Sequence, residues 1–343
     1  MNMRTRMGLP GVRRASGFTL IELLVVIAII ALLTSILLPS LSGARRLAQA
    51  TACAANSRSS AQGMAQYAND SNDWIIGSPN GSGAHIKGAV AHGATSQVWD
   101  FMGPLAKLSG IPLPENRTPR DVVARFNLVR NDLNQFYCRS NGFLATRFSG
   151  PNAGVGRMIS YNTSRYMMFE WDESKTDGVY KYANVHEEKL PSRWSPRITR
   201  LGDTSKKVFM ADGSRYATCN ITPDYDLSAT GSWGGAFSDA APYSTFSRSW
   251  DRNALFGAAG CTFDARLYAF RHSLTSPREK APADTLKANL VFFDGHAELM
   301  GDLQAANPWF WLPAGSKLET GSMYEDVKRH YQLTGASEIE INN

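Results

Sequence analysis

Between Phe18 and Leu38 the chain carries a single charge, Glu22, in 21 residues. A stretch of about 20 predominantly apolar residues is what the hydrocarbon core of a bilayer demands of a helix. The run therefore predicts a membrane-spanning helix, and the rest of the chain must fold to one side of it. Arg4, Arg6, Arg13 and Arg14 precede it, with no acidic residue among the first 17. By the positive-inside tendency this end stays cytoplasmic and the remainder lies outside. A cleaved secretory signal would combine an apolar core of roughly 7–15 residues with small residues after it. Here the core is longer, and the small residue, Gly17, stands before it.

The order Arg13-Arg14-Ala15-Ser16-Gly17-Phe18-Thr19-Leu20-Ile21-Glu22-Leu23 resembles the processing signal of type IV pilins and type II secretion pseudopilins. The resemblance implies that Gly17 is the last leader residue, cut on the cytoplasmic side by a prepilin peptidase. Phe18 then becomes the N-terminus and is N-methylated. It further implies that Glu22 is the acidic fifth mature residue used in assembly, and that Pro39, the twenty-second mature residue, is the proline that loosens the helix. The physics of the residues is compatible with these roles. A carboxylate near the end of a membrane helix is expensive and is usually kept for a partner. In a filament, that partner would be the freed α-amino group of a neighbouring Phe18. The plainer reading is a signal anchor whose glutamate reaches the headgroup layer.

Taking a leader of 17 residues and a helix from the 343 leaves about 270, enough to bury a substantial core. The formal net charge of +6 says little about partners. Without the four leader arginines, 32 basic residues face 30 acidic ones, and no basic patch argues for nucleic acid.

Past Pro39 the pattern becomes amphipathic. Leu41, Ala44, Ala48, Ala52 and Ala55 recur at three- and four-residue steps, while Arg45, Arg46, Gln49 and Asn56 take other positions. This predicts a helix running to about Asn69 with the alanine face packed against a sheet or another helix. The segments Cys53-Ala54-Ala55-Asn56 and 62–73 resemble, in part, the post-helix segment of pseudopilin-like proteins of the planctomycete and verrucomicrobial type. Asp70 and Asp73 offer two carboxylates, too few for the several oxygens a hard cation such as calcium takes. A polar loop closing the helix accounts for them. The expected organisation is a leader, 1–17, a transmembrane helix, 18–39, its amphipathic continuation, 40–70, and an extracytoplasmic head, 71–343.

Four cysteines, Cys53, Cys138, Cys219 and Cys261, would meet an oxidising compartment, where two disulfides have three pairings. No C-x-x-C is present, which weakens zinc and redox readings, and buried free thiols are an equally simple account. A bridge from Cys53 would tie the head to the helix.

From 75 to 160 the chain is rich in Gly, Ser and Asn, which predicts loops and short helices. His85 and His92 stand among glycines, which argues against a metal pair. Beyond this, Val208-Phe209-Met210-Ala211-Asp212-Gly213-Ser214-Arg215-Tyr216-Ala217 and Leu290-Val291-Phe292-Phe293-Asp294-Gly295-His296-Ala297-Glu298-Leu299 share one form, with Asp-Gly between two apolar or alternating runs. Each predicts a hairpin with a type I′ turn.

Arg271-His272 followed by Asp294-Gly295-His296 resembles the H-X9-DG element near the C-terminus of the same pilin-like proteins. Here 21 residues separate His272 from Asp294, so a fixed geometry between them does not follow. Imidazole and carboxylate ligate zinc-class metals, but nothing in the spacing brings His272 to the 294–296 turn. A hydrogen-bonding role is the simpler expectation, and no cofactor is expected.

Trp233, Phe237, Tyr243, Phe246, Trp250 and Trp309-Phe310-Trp311 would suit either the core, a subunit contact or stacking on sugar rings, and the tail, 323–333, has the spacing of a short closing helix. The chain has no G-x-S-x-G, no H-E-x-x-H and no Walker A loop.

The expectation is an α+β, pilin-like fold: a long N-terminal helix, its first half in the membrane, packed on an antiparallel sheet head with large loop insertions. The expected role is that of a structural, non-enzymatic subunit, a pseudopilin or minor pilin of a type II secretion or type IV pilus-like filament. Its expected partners are the prepilin peptidase, other pilin or pseudopilin subunits, the inner-membrane assembly platform and the membrane. An anchored adhesin or glycan-binding protein using a pilin-type export signal, and a tethered hydrolase, are the competing readings.

Overall fold

A computed structural model of the protein describes residues 18–76, 101, 104–105, 108–110, 136–140, 160–168, 188–213, 238–239, 241–243, 249–250, 268–272, 281–319, 321–333, 335 and 337–342. The chain divides into two compact units, Met1–Arg45 and Arg46–Asn343, and one helix, α1 (Leu20–Asp70), contributes to both.

In the first unit, every large apolar side chain from 18 to 38 is at least 45% exposed. Such a surface is incompatible with water, because each of these side chains gains roughly 1.5–3 kcal/mol on burial. Among the described residues α1 is the helix long and apolar enough to cross a bilayer. The helix continues through Pro39, although the proline ring removes the donor that would serve the carbonyl four residues back.

In the second unit, α1 buries Ala50, Cys53, Ser57, Ser60, Ala61, Met64 and Ala68. This differs from the expected face: Leu41, Ala44, Ala48, Ala52 and Ala55 are all exposed. Two serines disguised the true face. Ser57 Oγ donates to Cys53 O at 3.0 Å and Ser60 Oγ to Asn56 O at 3.3 Å, so both hydroxyls are satisfied within the helix and can be buried. The helix ends where expected. Ser71 N and Asp73 N both donate to Ala68 O, and Asn72 and Asp73 take positive φ, so the Asn/Asp cluster serves as a terminating loop.

The strands are β1 (Tyr161–Ser164), β2 (Glu188–Lys189), β3 (Val208–Asp212), β4 (Ser238–Asp239), β5 (Lys287–Phe292), β6 (Ala297–Gly301), β7 (Lys317–Leu318) and β8 (Ile339–Glu340). The larger sheet has the order β4-β1-β3-β5-β6; neighbours among β1, β3, β5 and β6 pair antiparallel, and β4 adds a parallel edge. The smaller sheet is β2-β7-β8. The chain is thus α+β, with a long apolar N-terminal helix and an antiparallel sheet. The tail forms α3 (Ser322–His330), as its spacing predicts, and a short helix α2 (Asp302–Ala305) precedes it.

β1, β3 and β5 are buried almost throughout, so the sheet is covered on both faces. On one side Asn289 Nδ2 donates to Ala50 O at 3.2 Å and Tyr161 OH to Cys53 O at 3.3 Å, which anchors α1 to β5 and β1. On β5, Phe292 falls on the face opposite Asn289 by strand alternation, and it meets Phe310 edge-on. Trp311 is fully buried, donates from Nε1 to Ala305 O at 2.7 Å and packs on Tyr268.

Of the two expected hairpins one forms. β5 and β6 pair from Lys287↔Gly301 to Val291↔Ala297. Their turn is not type I′: Gly295 N donates to Phe292 O, Gly295 alone of the central residues has positive φ, at 91°, and Phe292 N donates to His296 O. That is the three-residue loop in which a type I turn is followed by a left-handed glycine. At Asp212-Gly213 no hairpin can form, because both edges of β3 are already taken by β1 and β5. Gly213 instead bridges Tyr268 and donates its N–H to Ser160 O.

Candidate functional site

Two sites follow from the sequence features, one at the start of α1 and one at its buried face. Gly17 and the other leader residues lie outside the described residues. From Phe18 the geometry is defined. Thr19 is the N-cap of α1: its N–H and its Oγ1 each donate to Glu22 Oε2 at 2.8 Å, and Glu22 N donates back to Thr19 Oγ1 at 3.3 Å. This reciprocal arrangement is a capping box, and it satisfies backbone donors that would otherwise be left open at a helix start. Glu22 therefore has a local role independent of any partner. The signal, Thr-x-x-Glu ahead of an apolar run, is visible in the sequence. Both contacts use Oε2, which leaves Oε1 without a hydrogen bond among the described residues.

The second site is buried. Cys53 on α1 and Cys138 are joined by a disulfide, with Cα atoms 5.2 Å apart, and the bridge links α1 to the segment 136–140. Cys219 and Cys261 lie outside the described residues. His272 packs against the bridge with Nε2 3.6 Å from Cys138 Sγ. The same nitrogen is 3.1 Å from Asp212 Oδ2, and both side chains are wholly inaccessible. Asp212 Oδ2 also accepts the Asn289 N–H at 2.6 Å, while His272 N donates to Lys287 O. Arg271, the neighbour of His272, donates from Nη2 to Gly213 O at 2.7 Å. Four separated stretches thus converge: the middle of α1, residues 136–140, the end of β3 and residues 271–272. Among the described residues, Cys53, Cys138 and His272 are the group whose ligand atoms all lie within 4.8 Å of one another.

The turn at 294–296 is a different place. His296 Nδ1 is 2.6 Å from Asp294 Oδ1, which also accepts the His296 N–H, and the imidazole stacks on Phe292. His272 lies against the Lys287 end of β5, and the turn lies at the other end, about 17 Å of strand away. His272, Asp294 and His296 therefore do not form one set. The acidic partner of His272 is Asp212, from the other Asp-Gly. Only the crossing of β3 beside β5 brings the two together, and no local spacing announces it.

Of the aromatic residues weighed for stacking on sugars, Tyr243 and Trp311 are buried, Trp250, Trp309 and Phe310 are half-buried, and Trp233, Phe237 and Phe246 lie outside the described residues, as do His85 and His92. Trp250 packs on His330, and Trp309 on Tyr331, so these rings are engaged with the chain itself.

An α+β chain that begins with a capped, exposed, apolar helix is the form of a membrane-anchored, single-pass protein, and its N-terminal segment defines the class further: residues 12–38 match the prokaryotic N-terminal methylation motif. The chain is also similar to the type IV wide pilus major component PilA4 of Thermus thermophilus, with 45% identity over 62 residues. That similarity covers 18% of this chain and 47% of PilA4, so the chain spans about half the length of that relative. No solved structure matches the chain. The prepilin-type signal and the partial likeness to a pilin support a pilus-like subunit.

Proposed function

We propose that the protein is a structural subunit, a pseudopilin or minor pilin, of a type II secretion or type IV pilus-like filament, with no catalysis of its own. In this reading a prepilin peptidase cuts between Gly17 and Phe18, Phe18 is N-methylated, 18–39 is held in the membrane, 40–70 continues the helix, and 71–343 is the head outside the cytoplasm. The other partners are further pilin or pseudopilin subunits and an inner-membrane assembly platform. The observation that carries the proposal is the methylation motif over 12–38, which runs into a helix whose large apolar side chains up to Leu38 are all exposed. That surface needs lipid before assembly and neighbouring helices after it. Glu22 completes the argument. Its Oε2 is used at home by Thr19, and Oε1 is left for the α-amino group of a neighbouring Phe18. The opposite charges would neutralise each other inside an apolar bundle, where an unpaired charge is costly.

Intact mass of the protein purified from membranes tests this reading. The expected mass lacks residues 1–17 and carries one added methyl group, and Gly17→Val retains the full leader. A membrane form that keeps its leader overturns the proposal. Loss of helix-to-helix cross-links in Glu22→Ala, with membrane insertion unchanged, separates assembly from anchoring.

A further inference from the structure

A cross-link between α1 and the head needs two sulfurs and nothing more. Against the Cys53–Cys138 bridge the fold also places an imidazole, sealed from solvent. Its separation from sulfur matches that of a metal site. Zinc binds thiolate at about 2.3 Å and imidazole at about 2.0–2.1 Å, and at a tetrahedral angle these lengths hold sulfur and nitrogen about 3.6 Å apart. Cys138 Sγ and His272 Nε2 are 3.6 Å apart. Asp212 Oδ2 lies 3.1 Å from the same nitrogen. Asp212 Oδ1 and His272 Nδ1 find no hydrogen-bond partner among the described residues.

We propose that Cys53, Cys138 and His272 bind a divalent cation of the zinc class when the two cysteines are thiols. Disulfide and metal are then alternative closures of one buried position, and either one ties α1 to the 136–140 segment. The ligands come from positions 53, 138 and 272, a spacing that only the folded chain assembles. Loading involves no electron transfer. Two thiols each lose a proton and each sulfur forms one bond to the cation, while the neutral imidazole donates a lone pair. Closing the disulfide instead removes two electrons and two protons from the thiols, which pass to a disulfide-bearing oxidant that becomes a dithiol. The cation must therefore arrive before that oxidant, or after a dithiol has reversed the exchange. On loading, the sulfurs move apart from bonding distance to about 3.8 Å, the thiolate edge of the same tetrahedron.

Titration of the untagged full-length chain with Co2+ in detergent tests the inference. Cys219 and Cys261 are changed to serine so that one thiol pair remains, and the bridge is opened anaerobically with a phosphine, which takes up the oxygen of water and leaves two thiols. The expected result is one Co2+ per chain with thiolate-to-cobalt charge-transfer absorption and the intense visible bands of tetrahedral cobalt. One equivalent of Zn2+ should remove these bands, His272→Gln should weaken binding at least tenfold, and unreduced protein should show no bands. As a second comparison, the reduced parent chain should bind one equivalent more than its Cys53→Ser variant. The inference is overturned by a reduced chain that stays folded by circular dichroism without a charge-transfer band, or by equal binding in His272→Gln. A reduced chain that unfolds and is not refolded by stoichiometric Co2+ or Zn2+ overturns it as well.

Discussion

His272 Nε2 stands 3.1 Å from Asp212 Oδ2, and the same carboxylate oxygen accepts the backbone N–H of Asn289 at 2.6 Å. One buried oxygen thus joins the end of β3, the start of β5 and the 268–272 segment. Asp212→Ala removes the acceptor and leaves two buried donors unsatisfied. Breaking a buried pair of this kind costs about 3 kcal/mol or more. Chemical denaturation of the detergent-solubilised chain should show that loss, with Asp212→Asn recovering much of it, since an amide oxygen can still accept from Asn289. Equal stability of Asp212→Ala and the parent would refute the role given to this carboxylate.

Opening the Cys53–Cys138 bridge releases a loop with a sequence separation of 85. The chain-entropy account of cross-links assigns a loop of this length roughly 4–5 kcal/mol. In the presence of a chelator, a mild reductant should therefore lower the denaturation midpoint sharply. Labelling of Cys53 should appear together with unfolding, because the residue is buried.

Lys207 is fully buried, with Nζ donating to Trp309 O at 2.9 Å. Burial pushes its pKa down to about 8 from the ordinary 10.5. The folded chain therefore binds fewer protons here than the unfolded chain between those two values, and stability rises with pH across that window. The gain is bounded by about 1.4 kcal/mol per pH unit for one group. Thermal midpoints measured at pH 8 and pH 10 should rise for the parent relative to Lys207→Met, in which the pH-dependent part disappears. A parallel response of the two proteins would show that the lysine is not the source.

Gly301 sits at the end of β6, where an added Cβ would lie 2.2 Å from Asp284 Oδ1 and 2.4 Å from Asp284 Cβ. The clash reaches the root of that side chain, so a rotation cannot relieve it. Asp284 Oδ1 also accepts the N–H groups of Leu303 and Gln304 at 2.9 Å each, serving the first turn of α2 from outside. Gly301→Ala should cost at least the 1–3 kcal/mol typical of overpacking. The same substitution at Gly43, where a Cβ meets nothing within 4 Å, should cost nothing in the head, as denaturation curves of the two variants would show.

The sequence was most readable where structure is local. The apolar run, the end of α1 near Asn69, the β5–β6 hairpin and the closing helix are set by neighbours within a few residues. The buried face of α1 was misplaced because Ser57 and Ser60 read as surface residues, while inside the helix their hydroxyls bond to its own carbonyls. Asp212-Gly213 looked like a turn for the same local reasons as Asp294-Gly295. Sheet order decided otherwise: with β1 and β5 on either side, β3 has no edge left for a hairpin, and its terminal carboxylate turns to His272. Glu22 shows the reverse case. A role assigned from resemblance was joined by one the residues announce themselves, the capping box with Thr19.

The joint between α1 and the sheet has a mechanical side. Within the second unit a pull on α1 is met over residues 50–53, where Asn289 and Tyr161 grip two helix carbonyls and one covalent bond leaves Cys53. Hydrogen bonds in shear give way and re-form, so by themselves they would let the rod creep. The sulfur link forbids a slip of even one helical turn, about 5.4 Å, and tension on the rod must either be carried into the sheet or break a bond.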